Sequence, residues 1–224
     1  GLRMHTFNHA APGRWYALAA ILSAGLSLRW LRDLLGLASD PHAYERLSAL
    51  AAGAPPGADG PVFLPHLAGE RTPHMDPNAS GLLLGLRLHH GPGHVARAVM
   101  EGVALALAEC LDLARRAGDV EVQRIIASGG ATRSAVWRQI QADAYGVPLA
   151  ISEGDEHASL GAALLGGVAA GVYDTGEEGC ARLPEPETRI EPDRRTVALY
   201  AERRELFRGL YDQLKEEMHV LIHE

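Results

Sequence analysis

The sequence predicts an α/β fold, and three observations carry that prediction. Residues 122–170 run strand, helix, strand, helix, with apolar runs separated by glycine-bearing turns. Two earlier segments, 23–35 and 92–117, repeat apolar residues at spacings of three and four, the period of a helix. Apolar residues make up 47% and charged residues 22% of 224, which supports a packed core rather than disorder.

The elements follow in order. Residues 5–7 and 15–18 carry aromatics on either side of Ala11-Pro12-Gly13 and read as two short strands joined by a turn. In 23–35, Leu26, Trp30 and Leu34, with Leu31 and Leu35, recur at helical spacing, and the segment stops at Gly36. Residues 41–52 give a second helix, with Asp40 as N-cap and Pro41 at its first position. Ala54-Pro55-Pro56-Gly57 then breaks the chain. Residues 62–64 read as a short buried strand, and 69–80 as a polar loop of a length that is usually functional or mobile.

The run 92–117 is the longest helix, stopped by Gly118. Its small residues, Ala96, Ala98, Gly102, Ala104, Ala106 and Ala108, predict close packing against another element. Residues 122–127 form a strand ending in Ser128-Gly129-Gly130, and 134–145 form a helix closed by Gly146. A second strand over 147–151 and a Gly/Ala-rich helix over 156–170, closed by Gly171, complete a unit with a mainly parallel pair. Residues 182–192 read as a Pro/Glu linker. Beyond them lies a charged helix with Phe207, Leu210, Leu214 and Met218 on one face.

Composition excludes several classes of function. A net charge of −7 gives no reason to expect a nucleic-acid partner. No apolar run approaches the roughly 18 residues of a membrane span, and the start lacks the pattern of a signal peptide, so a cytoplasmic chain with no membrane partner is expected. Only Lys215 among the 21 basic residues is a lysine, which excludes a Walker A phosphate loop and argues against a Schiff-base lysine. Cys110 and Cys180 form no metal spacing and no disulfide framework, and Cys110 reads as a small buried residue. The first residues, Gly1-Leu2-Arg3-Met4, carry no initiator Met, as in a piece of a longer polypeptide.

Four constellations carry chemistry. Ser128-Gly129-Gly130-Ala131-Thr132-Arg133-Ser134 joins a strand to a helix, where backbone N–H groups and a helix N-terminus suit an anion. The same two glycines also serve a tight turn with no ligand. Glu156-His157-Ala158-Ser159-Leu160-Gly161-Ala162-Ala163 opens a helix with a small-residue face, which close packing alone explains. In Glu70-Arg71-Thr72-Pro73-His74, Arg71 suits a phosphate or carboxylate with Glu70 orienting it, and a local ion pair that shapes the loop is the plainer account. His89-His90-Gly91-Pro92-Gly93-His94 lacks a paired Cys or acidic ligand at helical spacing; it reads as a polar turn, and no metal ligand is assigned.

Together these segments resemble the C-terminal, nucleotide-binding lobe of the FGGY carbohydrate kinases, in the actin/hexokinase/Hsp70 ATPase superfamily. The most specific stretch is Gly81-Leu82-Leu83-Leu84-Gly85-Leu86 with His94-Val95 and Ala98-Val99-Met100-Glu101, which fits the family's second signature. Phe63-Leu64-Pro65 with Gly69-Glu70-Arg71-Thr72-Pro73-His74, and His5-Thr6-Phe7-Asn8-His9 with Pro12 and Arg14-Trp15, resemble its xylulokinase branch. Asn8 stands where the family usually has another small residue, and Ala131 where it often has a third glycine.

The resemblance implies a ribonuclease H-like ATPase lobe, with a mixed central sheet flanked by helices. It implies a lobe over residues 1–181, a linker over 182–192 and a helix over 193–224 packed on the lobe. Its cofactors are ATP or ADP with Mg²⁺. By the same match Gly129, Gly130 and Ala131, with Trp137 and Gln139, form the adenosine motif; Gly130 lies against phosphate and sugar, and Ser134 faces the adenine. Gly25 and Arg29 fall where relatives contact phosphates and ribose. Glu70 and Arg71 remain candidates for the cleft, and residues 155–163 match a motif that packs between lobes.

The catalytic Asp, the loop for the γ-phosphate and the sugar-binding N-terminal lobe are implied to precede these residues. The chain alone is therefore expected to be inactive. The implied activity is phosphorylation of a ketopentose, most of all D-xylulose. The alternatives are a kinase for ribulose, gluconate or glycerol, and a non-catalytic nucleotide-binding or assembly module. The stripe from Phe207 to Met218 serves lobe docking, a homodimer or the core alone.

Overall fold

The computed structural model describes residues 4–118, 121–152, 157–186 and 188–222. Its first element is the expected hairpin. β1 (His5–Asn8) pairs antiparallel with β2 (Trp15–Leu18), and every residue of both strands is exposed, with Phe7 stacked on Tyr16 at 5.4 Å.

α1 (Ala24–Leu34) follows, but it is rolled relative to the expected stripe. Ser27, Leu28 and Leu31 are buried, whereas Leu26 and Leu34 are 48% and 63% exposed. Trp30 stacks on Phe63 at 5.7 Å, so the helix is anchored by 28, 30 and 31 and leaves one flank open. α2 (Ala43–Ala52) starts two residues later than the capping signals imply. The Asp40 carboxylate accepts the His42 N–H at 2.9 Å and its carbonyl accepts the Ala43 N–H at 3.1 Å. Asp40 and Pro41 therefore close a turn ahead of the helix instead of capping it.

β3 (Val62–Leu64) is buried throughout and pairs antiparallel with β4 (Leu82–Leu84). Periodicity did not announce β4, because three successive leucines carry no alternation. α3 (Pro92–Gly118) packs against α1, α2 and β3. Its small residues allow that approach. A Cβ at Gly102 would overlap the Phe63 carbonyl oxygen, and one at Gly93 would stand 2.7 Å from that of Leu50.

β5 (Ile125–Ala127) runs parallel to β6 (Leu149–Ile151), as the alternation predicts, although both strands are shorter than expected. A 3₁₀ turn (Gly130–Arg133) and α4 (Ala135–Tyr145) connect them. α5 (His157–Ala169) packs against α6 (Gly176–Ala181), with Gly167 close against the Tyr173 ring, and has no buried residue. Asp155 and Glu156 of that segment lie outside the described residues. Nor is 182–192 only a linker. β7 (Thr188–Ile190) pairs antiparallel with β6, so β5, β6 and β7 form a mixed sheet. Thr188 and Ile190 suit a pleated surface, which the Pro/Glu composition around them hid.

α7 (Arg194–Ile222) packs on α3, α4 and β3 and buries Tyr200, Phe207, Leu210, Tyr211 and Met218. The apolar stripe thus serves the core of this chain. The far end of α7 is tied to the 69–80 loop, because Tyr211 and His219 each donate to Asp76 at 2.7 Å. Burial pushes the Asp76 carboxyl up, but the bonds from His219, Tyr211 and the Asn78 N–H together hold it below its ordinary value. No described helix is long and apolar enough to cross a membrane.

Gly102→Ala should cost about 3 kcal/mol in urea denaturation, the upper end for overpacking a tight contact. Gly161→Ala, in α5 where a Cβ meets nothing within 4 Å, should instead add about 0.5–1 kcal/mol. A carboxyl whose folded pKa is depressed adds stability that is complete above its unfolded value, roughly 3.9, and is lost as pH falls through the folded value. Asp76→Asn should therefore lower the melting temperature near neutral pH and flatten its fall below about pH 4.

Candidate functional site

The Gly129-Gly130 pair divides into two roles. Gly129 has φ 85° and ψ −176°, a backbone region that only glycine enters readily, so it is required by the turn itself. Gly130 has no such constraint, and a Cβ placed there would meet nothing within 4 Å. The turn satisfies its own polar groups. The Thr132 N–H and Oγ1 both donate to the Gly129 carbonyl, at 3.0 and 2.7 Å, and the Ser134 N–H donates to the Ala131 carbonyl. What remains is an exposed, open Gly130 surface at the start of α4, beside Ala131, which packs on the core.

Ser134 is the N-cap of α4, its Oγ accepting the Trp137 N–H at 3.3 Å. Across from it stands Ser48 of α2, with the two hydroxyl oxygens 2.9 Å apart. The pair shares one hydrogen and keeps a second to donate, so it can meet an acceptor such as a purine ring nitrogen. Two other members of the expected motif are structural. Trp137 is buried with its Nε1–H on the Met100 carbonyl at 3.1 Å. Gln139 donates to Asp143 and to the Glu191 carbonyl, which ties α4 to the segment leading into α7.

Gly25 and Arg29 share one face of α1, four residues apart. Gly25 is open on its Cβ side, and Arg29 is exposed and makes no hydrogen bond or ion pair among the described residues. The first turn of α1 holds no acidic residue. Its N-cap Ser23 is 1% exposed, and its Oγ has no hydrogen-bond partner among the described residues. Unpaired amides, an uncommitted hydroxyl and a free guanidinium are the components of a phosphate site. α2 packs against both α1 and α4 and so lies between the Gly25–Arg29 helix and the one that follows the glycine turn.

Glu70 and Arg71 part company. Glu70 is buried and its carboxylate faces His66 at 2.9 Å, whereas Arg71 is exposed and its guanidinium donates to His5 of β1 at 3.2 Å. The two do not form the local ion pair that the sequence suggested. Glu70 is also turned away from any ligand approaching from solvent.

The FGGY family of carbohydrate kinases, C-terminal domain, is matched over residues 1–170. The chain belongs to this family. It is 42% identical over 212 residues to the xylulose kinase of Escherichia coli (strain K12), across 94% of this chain and 43% of that protein. It is 38% identical over 186 residues to a gluconokinase of Bacillus licheniformis, across 76% of this chain and 34% of the relative. Among solved structures, xylulose kinase from Rhodospirillum rubrum matches with a TM-score of 0.87 at 34% identity, over 97% of this chain and 43% of that one. The chain spans less than half the length of these relatives. Its fold is the expected actin/hexokinase-like lobe of an FGGY kinase.

Elsewhere in this FGGY domain, the chemistry on view is structural. Asp59, His89 and His90 bring ligand atoms within 4.8 Å of one another. However, His90 Nδ1 accepts the Arg87 N–H at 2.9 Å, so its Nε2 carries the proton and donates to the Asp59 carbonyl. A nitrogen engaged in that way is not a metal ligand, and the Asp59–His89 pair alone is too few. Burial pushes the Cys110 thiol up to about 12, which keeps it inert at neutral pH. A cavity of about 610 Å³ between α2 and the start of α3 is lined by Arg46, Leu50, His89 and His94, and by none of the expected nucleotide residues.

Ser23, Ser48 and His66 were missed by sequence reasoning as functional residues, and Thr72 was named only as part of the Glu70–His74 loop. Single serines and a lone histidine carry no motif, and only the fold shows what they face. The two glycines separate experimentally: Gly129→Ala should cost about 1–3 kcal/mol by thermal or chemical denaturation, and Gly130→Ala should stay within about 0.5 kcal/mol of the parent chain.

Proposed function

We propose that the protein to which this chain belongs transfers the γ-phosphate of ATP to a hydroxyl of a ketopentose, D-xylulose before other sugars. This chain is its nucleotide-holding lobe. The observation that carries the nucleotide side is the open Gly130 turn beside the Ser48–Ser134 hydroxyls, in a chain of FGGY sequence. The sugar follows the 42% identity to a xylulose kinase across 94% of the chain.

In this reading Gly129, Gly130 and Ala131 lie against the nucleotide's phosphate and sugar, and Ser134 with Ser48 meets the base. Gly25, the amides of the first turn of α1 and Arg29 take the phosphates and ribose. Phosphoryl transfer depends on positioning and on stabilising charge spread over the phosphate oxygens. Mg²⁺ supplies part of that charge when it arrives with ATP, and no residue of this chain is assigned to hold it. The catalytic Asp, the γ-phosphate loop and most sugar contacts are assigned to an N-terminal lobe outside these residues. Residues 1–181, with α7 docked on them, act as one unit that faces that lobe. The exposed Phe7, Trp15, Tyr16, Leu160 and Leu165 suit a wall that it covers. Closure of the two lobes then excludes water from the transfer.

The 38% identity to a gluconokinase favours a second reading, in which the sugar is gluconate. A substrate panel on the full-length protein separates the two, with D-xylulose expected to give the highest kcat/KM.

The chain itself should release heat on titration with millimolar ADP and show no ADP production from Mg-ATP with D-xylulose. Gly130→Val should abolish the binding without unfolding the chain. Turnover by this chain would overturn the assignment of the catalytic base to the other lobe. A titration without heat, unchanged in Gly130→Val, would overturn the nucleotide assignment.

A further inference from the structure

Glu70 is 3% exposed, and both of its carboxylate oxygens are engaged. Its Oε1 accepts the Arg71 N–H at 2.7 Å and the Leu22 N–H at 3.3 Å. Its Oε2 faces Nδ1 of His66, which is itself 1% exposed. Next to it, Thr72 exchanges two bonds with Ala20: the Thr72 N–H donates to the Ala20 carbonyl at 2.9 Å, and the Ala20 N–H to Thr72 Oγ1 at 3.2 Å. Residues 70–72 therefore grip residues 20–22 through three hydrogen bonds.

Residues 20–22 are the link between the exposed hairpin and α1. The next residue is Ser23, the N-cap whose Oγ is buried without a partner among the described residues. After it come Gly25 and, one turn later on the same face, the free Arg29. The chain entering α1, ahead of its first amides, is thus held partly from outside the helix, by a carboxylate that also faces His66. Burying a carboxylate is costly unless hydrogen bonds offset its lost hydration, and Glu70 takes those bonds from the Leu22 and Arg71 N–H groups and from His66.

The geometry points to Glu70 as a positioning residue for the nucleotide. Through Leu22 it aims the N-terminus of α1, with Ser23, Gly25 and Arg29, at the phosphates, and His66 orients it. This rests on the nucleotide reading above. It predicts a larger loss for ADP than for adenosine, because the Ser48–Ser134 pair, which meets the base, is held by other elements.

The test compares ADP with adenosine, titrated by NMR into this chain and into Glu70→Ala, Glu70→Gln and Thr72→Val. Glu70→Ala should weaken ADP about tenfold and leave adenosine within about twofold, since a small misdirection of donors falls on the phosphates. Glu70→Gln should retain most of the ADP affinity, because its Oε1 still accepts both N–H groups. Thr72→Val should shift ADP in the same direction by a smaller factor. If the parent chain binds both ligands and the ratio of their affinities is unchanged in Glu70→Ala, the positioning role is overturned, whatever happens to the melting temperature. Should Glu70→Ala fail to fold, Thr72→Val decides by the same ratio. A parent chain that binds neither ligand overturns the nucleotide reading and this role with it.

Discussion

The structure depends on one buried carboxylate. Glu101, at the centre of α3, is 2% exposed, and its Oε1 receives three donors at 2.8 Å: Arg97 Nε, the Tyr200 hydroxyl and the Gly57 N–H. Arg97 extends the network to the Ala54 carbonyl at 3.0 Å, past the end of α2, and to the Tyr200 hydroxyl at 3.3 Å. One helix turn thus joins α2, α3, the 55–60 loop and α7. Burial works against the charge on Arg97, yet Tyr200 and Glu101 hold that charge more firmly than usual; the Tyr200 phenol is pushed well up, first by burial and then by the Glu101 charge. Such a network rigidifies a core when its members are paired, and removing one leaves the others costly. Glu101 belongs to the segment that most specifically resembles the FGGY family, so that segment reports a fold requirement at this position.

Around this fixed centre the molecule separates into a packed body and an open side. α2, α3, α4, α7 and β3 supply most of the core. The hairpin β1–β2, one flank of α1, the glycine turn and α5 carry exposed apolar residues or open glycines. The candidate nucleotide residues lie where these regions meet, on turns and helix ends held by a rigid frame. Backbone donors there are free because helix termini cannot satisfy their own first amides.

The residues that state their role in sequence are those whose role is local. Gly129 and Gly130 mark a strand-to-helix turn, Gly146 and Gly171 end helices, and Pro92 with a long run of small residues announces α3. Errors arose where a local signal had two readings. Asp40-Pro41 suits both a helix cap and a turn, and the chain uses the turn. Leu26 and Leu34 fit an apolar stripe, yet the roll of α1 is set by Leu28 and Leu31 meeting α3. Thr188 and Ile190 became a strand because β6 offered an unpaired edge, a fact about a partner some 40 residues away.

Sequence by itself determined the α/β order, the parallel β5–β6 pair, the turn at Gly129 and the family, because periodicity, turn chemistry and motif spacing are written in neighbouring residues. Only the tertiary structure decided that Glu70 faces His66 and Leu22 rather than the Arg71 guanidinium, that Ser48 meets Ser134, and that Gln139 donates to Asp143 and the Glu191 carbonyl. Each of these pairings depends on the direction of a polar side chain in three dimensions. A buried hydrogen bond takes the donor that the packing brings within reach, and sequence distance does not encode that choice.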